Sequence, residues 1–209
     1  MTPADNRRPR RGAGPHRPAS RPFLFLGLLV ACGCALFEPR DSRRPDEGEE
    51  LDWRPPISPD AVLENLGTVV QALEPGLYEE LLADSGWARS FRFVGDAAAS
   101  GGETHWGLEE ELGAWQRLTD QYRAAEVRPL LSLLRTDSLL AGDSASYSVD
   151  YRLDFPASAD QLAGSYAGTL RLTLSRSLRT GDWAIHLWED WGADSLASWT
   201  QLKQAFLWP

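Results

Sequence analysis

The sequence predicts a single α+β domain in which three helices come first, a four-stranded antiparallel meander follows and a short helix closes the chain. Three observations predict it. From Ser58 to Tyr122 the apolar residues recur mostly at helical spacing, after residue 125 the period drops to two, and from residue 198 the helical spacing returns. The residues ahead of Ser58 are too charged and too rich in proline to share that core.

The first helix opens at Ser58-Pro59-Asp60, with a serine to cap, a proline at the first helical position and an acid in the first turn. Val62, Leu66, Val69, Val70 and Leu73 then fall on one face. Pro75-Gly76 breaks this helix. A second, shorter one follows with Leu77, Tyr78, Leu81 and Leu82 inward, stopped by Asp84-Ser85-Gly86. "SFRFVGD" at 90 to 96 reads as a short strand with Phe91 and Phe93 on one face, and "AAASGGETH" after it as a loop. The third helix runs from about Trp106 to Tyr122 and buries Leu108, Leu112, Trp115 and Leu118. Glu109, Glu110 and Glu111 mark its solvated first turn, where the helix dipole favours negative charge.

The sheet begins with a strand around Arg128 to Thr136, closed by the turn "AGDSA". In "SYSVDYRLDF", Tyr147, Val149, Tyr151, Leu153 and Phe155 alternate with Ser148, Asp150, Arg152 and Asp154. The next strand repeats the split, with Tyr166, Leu170, Leu172 and Leu174 against Thr169, Arg171 and Thr173. Two neighbouring strands divided in the same way predict an antiparallel sheet with one wet face and one face covered by helices. "LRTGD" turns the chain into "WAIHLWEDW", and "SWTQLKQAFLW" forms the closing helix, with Trp199, Leu202 and Phe206 on one side.

The N-terminus has a different composition. Six arginines and one acid precede "FLFLGLLVA", a basic region feeding an apolar one in the order of a secretory signal. From Phe23 to Phe37 the apolar run is 15 residues, short of the roughly 20 a membrane-crossing helix needs. It ends in Leu29-Val30-Ala31-Cys32, which resembles the lipobox of bacterial lipoproteins, so Cys32 is the expected lipidation site and residues 1 to 31 the removed leader. Cys34 is the alternative, with a poorer match ahead of it. No cysteine follows Cys34, which excludes a disulfide, a thiolate zinc site and a cysteine nucleophile from the folded part.

Of 21 basic and 30 acidic side chains the leader holds six and one; the remaining 15 and 29 give the mature chain a net charge of −14 with His neutral. Such a chain is repelled by phosphate backbones, which excludes nucleic acid as a partner, and by anionic headgroups, which leaves the lipid as the attachment to a membrane. Residues 32 to 57 read as a disordered tether able to hold the domain, residues 58 to 209, up to roughly 70 Å from the bilayer.

The order of elements, carried by "SPDAVLENLGTVVQALEPGLYEELL", "FRFVGD" and "DWAIHLWEDW", resembles the nuclear transport factor two-like superfamily, which includes ketosteroid isomerase and SnoaL-type cyclases. That resemblance implies a cone-shaped roll, with the meander curled around three N-terminal helices and a pocket at the wide end. The chain also looks like uncharacterised bacterial lipoproteins that begin C-x-L-F-x-P-R, here "CALFEPR" from Cys34. Enzymes of the superfamily use one carboxylate or histidine as base with hydrogen-bond donors opposite.

The corresponding candidates in this chain are His186, Asp190, Tyr147 and Tyr151. His186 shares alternation with Ala184, Trp188 and Asp190, while Trp183, Ile185, Leu187 and Glu189 take the other side. Either set can face the pocket, and the alternative puts His186 on the wet face beside Asp190. No HExxH, P-loop, G-x-S-x-G or paired CxxC motif is present, and no cofactor or metal is expected. Of nine tryptophans, five after residue 182, each taken singly reads first as core, since aromatics dominate burial in a small roll; an exposed subset can serve a ligand or partner surface, for which Trp188, Trp191 and Trp208 are the candidates.

The sequence therefore predicts a cell-envelope lipoprotein facing outside the cytoplasm, whose α+β roll binds an envelope protein or a small apolar ligand without catalysis. A lyase or isomerase using His186 as general base, and an adaptor forming a homodimer through its sheet, are the alternatives.

Overall fold

The computed structural model describes residues 51–98, 104–156, 164–193 and 196–207, so Cys32, Cys34 and Trp208 lie outside the described residues. All described residues belong to the compact unit Glu49–Pro209. Helix α1, Pro59–Ala72, starts at Ser58, whose Oγ accepts the Ala61 N–H at 3.2 Å. It ends at Leu73 in the left-handed conformation, φ 58°. Pro75-Gly76 does more than break α1, because Pro75 is the first residue of α2, Pro75–Glu80. Strand β1, Arg92–Val94, falls where it was expected. Strand β2, His105–Gly107, occupies part of the predicted loop and the first turn of the predicted helix. Helix α3, Leu108–Ala124, accordingly starts later, with Glu110 Oε2 accepting the Gly107 N–H at 3.2 Å.

Strands β3, Leu130–Ala141, β4, Ser144–Phe155, β5, Gly164–Arg176, and β6, Trp183–Gly192, form the predicted antiparallel meander. The sheet has six strands in the order β2-β1-β6-β5-β4-β3, because β1 adds to β6 in parallel and β2 to β1 antiparallel. Helix α4, Trp199–Leu207, closes the chain. Between the sheet and the helices lies one core that includes Val62, Leu66, Tyr78, Phe93, Trp115, Leu118, Val149, Leu153, Leu172, Trp188 and Trp199. Trp106, Trp115, Trp183, Trp188 and Trp199 are buried. The core reading thus holds for these five, and Trp188 is a core residue rather than part of a surface.

Strict alternation fails in one place on β6. Thr173 pairs with Leu187 but Leu174 pairs with Ile185, so His186 is an extra residue, a β-bulge. Beyond the bulge, Trp188 and Asp190 lie opposite Leu172 and Leu170 and face the core; before it, Ile185 faces the core opposite Leu174. Both sets named from the sequence therefore contribute inward residues, and neither His186 nor Asp190 is on the wet face.

The predicted tether ends sooner than residue 57. Asn65, fully buried on α1, donates to the Arg54 carbonyl at 2.6 Å and accepts the Arg54 N–H at 3.1 Å. The Trp183 N–H donates to the Pro56 carbonyl at 2.6 Å, and Trp53 packs against the core. Residues 51–57 are a strap fastened across the domain.

Candidate functional site

The interior of the cone is filled by side chains and contains a closed polar cluster. On α4, Lys203 points inward and its Nζ lies 2.6 Å from Glu111 Oε1, with 3% and 0% of the two side chains exposed. The Tyr78 hydroxyl also donates to Glu111 Oε1, and Trp106 Nε1 donates to Glu111 Oε2 at 2.7 Å. Around the ammonium stand three rings, with Nζ 3.9 Å from the Trp188 centroid, 4.2 Å from Phe93 and 5.4 Å from Trp199. Burial pulls the Lys203 amine below the usual lysine range, and the Glu111 carboxylate works against that shift. Burial and then Glu111 drive the Tyr78 phenol well above its ordinary value.

A second cluster holds the start of α4. Asp190 Oδ2 accepts the Thr200 N–H at 2.7 Å and the Thr200 hydroxyl at 2.6 Å, while the Tyr151 hydroxyl accepts the Trp199 N–H at 2.6 Å. Ser198 and Gln201 complete a capping box: the Ser198 N–H donates to Gln201 Oε1 at 2.8 Å. Tyr151 and Asp190, two of the residues singled out in the sequence, do meet here, and what they jointly hold is a helix N-terminus. Burial, with Asp190 nearby, raises the Tyr151 phenol far above its ordinary range.

The other two candidates lie elsewhere. Tyr147 donates to Asp60 Oδ1 at 2.9 Å, and burial followed by that bond pushes its phenol up to about 12. His186 is buried at the bulge, roughly 13 Å along the strand from Asp190 at about 3.3 Å per residue. Its Nδ1 has no hydrogen-bond partner among the described residues, and burial, then the Arg89 charge, lowers its pKa below 6.5. Trp191 is 42% exposed on the outer sheet face, with the Arg171 guanidinium 5.6 Å from its ring.

Sequence reasoning missed Glu111 and Lys203. Glu111 was placed in a solvated first turn, but the register of α3 sets it on the buried stripe with Ala114, Trp115, Leu118 and Tyr122. One signal was available: Lys203 is the chain's single lysine, beside twenty arginines.

An open cleft of about 470 Å³ lies at the β1–β2 end of the sheet. Phe91, Trp106 and Leu207 supply its apolar surface, and Arg92, His105 and Glu110 its polar groups. Lys203 sits one helical turn before Leu207, and Trp106 reaches from the cleft wall to Glu111. Among the described residues no cluster of three or more metal-ligating side chains occurs, and no helix is long and apolar enough to cross a membrane.

No protein-family model and no curated protein sequence matches the chain. Among solved structures it is similar to a Novosphingobium aromaticivorans protein provisionally named an aromatic ring hydroxylase, with TM-score 0.50 and 11% identity over 69% of this chain and 92% of that one. A nuclear transport factor two-like protein with a cystatin-like fold from the same organism gives TM-score 0.45 and 18% identity over 68% and 83%. A nuclear transport factor two-like superfamily protein of Salmonella enterica serovar Typhimurium gives 0.44 and 11% over 64% and 88%. The domain is an α+β roll with a curved sheet, as its order of elements predicts, and the fold is shared with the Novosphingobium protein at TM-score 0.50. At these identities the likeness is one of fold alone.

Proposed function

We propose that the chain is a lipid-anchored extracytoplasmic binding module, and that its ligand or partner is apolar and engages the cleft between β1, β2 and the end of α4. The observation that carries the reading is that the cone interior is occupied by Trp188, Trp199, Phe93 and the Lys203–Glu111 pair, so that binding falls to the cleft outside it, where Phe91, Trp106 and Leu207, each less than a tenth exposed, form an apolar floor beneath the exposed Arg92, His105 and Glu110. The arginine-rich leader and the Leu29-Val30-Ala31-Cys32 motif support the anchor, and the net charge of the mature part leaves a lipid as the means of attachment.

Two experiments test it. Lipid incorporation into the chains with Cys32→Ala, Cys34→Ala and both changes should be abolished by one of the single changes, and labelling that survives the double change sinks the lipoprotein assignment. For the cleft, an environment-sensitive apolar dye should lose at least about tenfold in affinity on Leu207→Asp. Equal affinity in the folded variant removes the cleft from consideration.

A second reading has its own observation. On the outer sheet face Leu130, Leu134 and Leu139 are all more than half exposed along the edge strand β3, with Trp191 exposed on β6. An adaptor that dimerises through this face covers them. Sedimentation should then give a dimer that Leu134→Asp with Leu139→Asp converts to monomer, and a wild-type chain that is monomeric throughout excludes the adaptor.

A further inference from the structure

The chain carries twenty arginines and one lysine, and the lysine is the residue inside the cone. Apart from three histidines its other basic side chains are all guanidinium groups; the one lysine ammonium stands where aromatic faces enclose the charge. The substitution matters physically. A guanidinium is a broad planar fork of five donors, most of which ring faces leave unpaired, whereas an ammonium is a compact charge that several rings can surround. The enclosure is complete in kind: the Trp188, Phe93 and Trp199 faces lie 3.9, 4.2 and 5.4 Å from Nζ, and Glu111 Oε1 supplies a counter-charge at 2.6 Å. Tyr78 and Trp106 in turn hold both oxygens of Glu111, so the carboxylate has a fixed position rather than a choice of rotamers.

We propose that the inside of the cone is a built alkylammonium site and that Lys203, delivered by α4, is its resident ligand. The chemistry defines what the site takes: a small primary alkylammonium, with the apolar stem along the rings and an N–H of the charged group against Glu111 at the 2.6 Å that Lys203 shows. Helix α4 is then a plug. Its N-terminus is latched by Asp190 and Tyr151 and its C-terminal turn by Arg117, whose guanidinium donates to the Phe206 and Leu207 carbonyls. Withdrawal of Lys203 leaves a cage of the same composition for an external amine. This inference does not rest on ligand binding in the cleft and its test is separate, although withdrawal of α4 also takes Leu207 out of the cleft wall.

The test uses the full chain with Lys203→Ala, which keeps Cβ and removes the atoms of n-propylammonium. Thermal unfolding and tryptophan fluorescence are followed during titration with n-propylammonium chloride, with n-propanol as the neutral probe of similar size and sodium chloride as the ionic-strength control. The expected result is saturable stabilisation by the ammonium at a midpoint at least about tenfold below that of the alcohol, an advantage that disappears in the double variant with Glu111→Gln. Equal responses to the two probes, or no response to either from a variant folded by circular dichroism, overturn the proposal. A variant that recovers its fold only with n-propylammonium supports it. Should the variant stay unfolded with both probes, the wild-type chain decides. Lys203 is its single lysine, and acetylation by an amine reagent can be followed there by mass spectrometry. A caged ammonium labels at least about 100-fold more slowly than the same lysine in the urea-unfolded chain, and labelling at the unfolded rate overturns the proposal.

Discussion

Glu111 is the residue on which most of the interior depends. It accepts from Tyr78 and Trp106 and pairs with Lys203, so removing the cation leaves a buried carboxylate with no counter-charge. Breaking such a pair from one side costs about 3–5 kcal/mol, while neutralising both sides costs far less. Lys203→Met should therefore lower the urea-unfolding free energy by about that amount, and Lys203→Met with Glu111→Gln should recover part of it. A double variant no more stable than the single would show that the ion pair is not what Lys203 contributes. His186 gives a pH signature of its own. Its folded pKa lies below the ordinary 6.5, so the unfolded chain binds the proton first as pH falls, and stability declines below about pH 6.5. In His186→Asn that part of the decline should disappear from a series of melting curves. His186 could not be placed from sequence, because a bulge residue has no defined side, whereas Glu111 stands four and seven residues before Trp115 and Leu118, at the spacing of the buried stripe.

At the scale of elements the meander was legible because both inner strands alternate without interruption. Every second residue packs inward, Tyr147, Val149, Tyr151, Leu153 and Phe155 on β4 and Tyr166, Leu170, Leu172 and Leu174 on β5, with a close approach at Gly168 between them. A Cβ at Gly168 would lie 2.2 Å from the Trp191 carbonyl oxygen and 2.9 Å from the Tyr151 ring, both held by paired backbone or core packing. Gly168→Ala should lower stability by about 1–3 kcal/mol in chemical denaturation. An unchanged midpoint would mean that β5 and β6 part easily here. What could not be read were pairings too short to leave a period. Strand β2 has three residues, and Trp106 serves equally well as a helical or a strand residue until its ring is seen stacked on Phe93 at 4.1 Å between centroids. The α4 start is legible in the sequence, since Ser198 and Gln201 carry the spacing of a capping box.

Over the whole molecule, all five tyrosines have phenols raised by burial. A phenol whose folded pKa exceeds its unfolded value near 10 gives stability that is intact below pH 10 and lost as pH climbs towards the folded value. Lys203, shifted the other way, opposes this only up to its ordinary 10.5. An alkaline titration followed by tyrosinate absorbance should thus stay nearly flat through pH 10–11 and then rise cooperatively with loss of the fold; separate, reversible steps near pH 10 would contradict the burial described for these rings. The strap ahead of α1 has a different kind of consequence. Arg54 is held at both backbone atoms by Asn65, Arg54 also pairs with Glu64, and Pro56 is held by Trp183 two residues later. Tension applied to the chain before Leu51 reaches these bonds ahead of the helix and long before the core. Under the proposed lipid anchor, load would enter the domain through this strap, and parting its hydrogen bonds would free residues 51–57 as slack before the core is loaded.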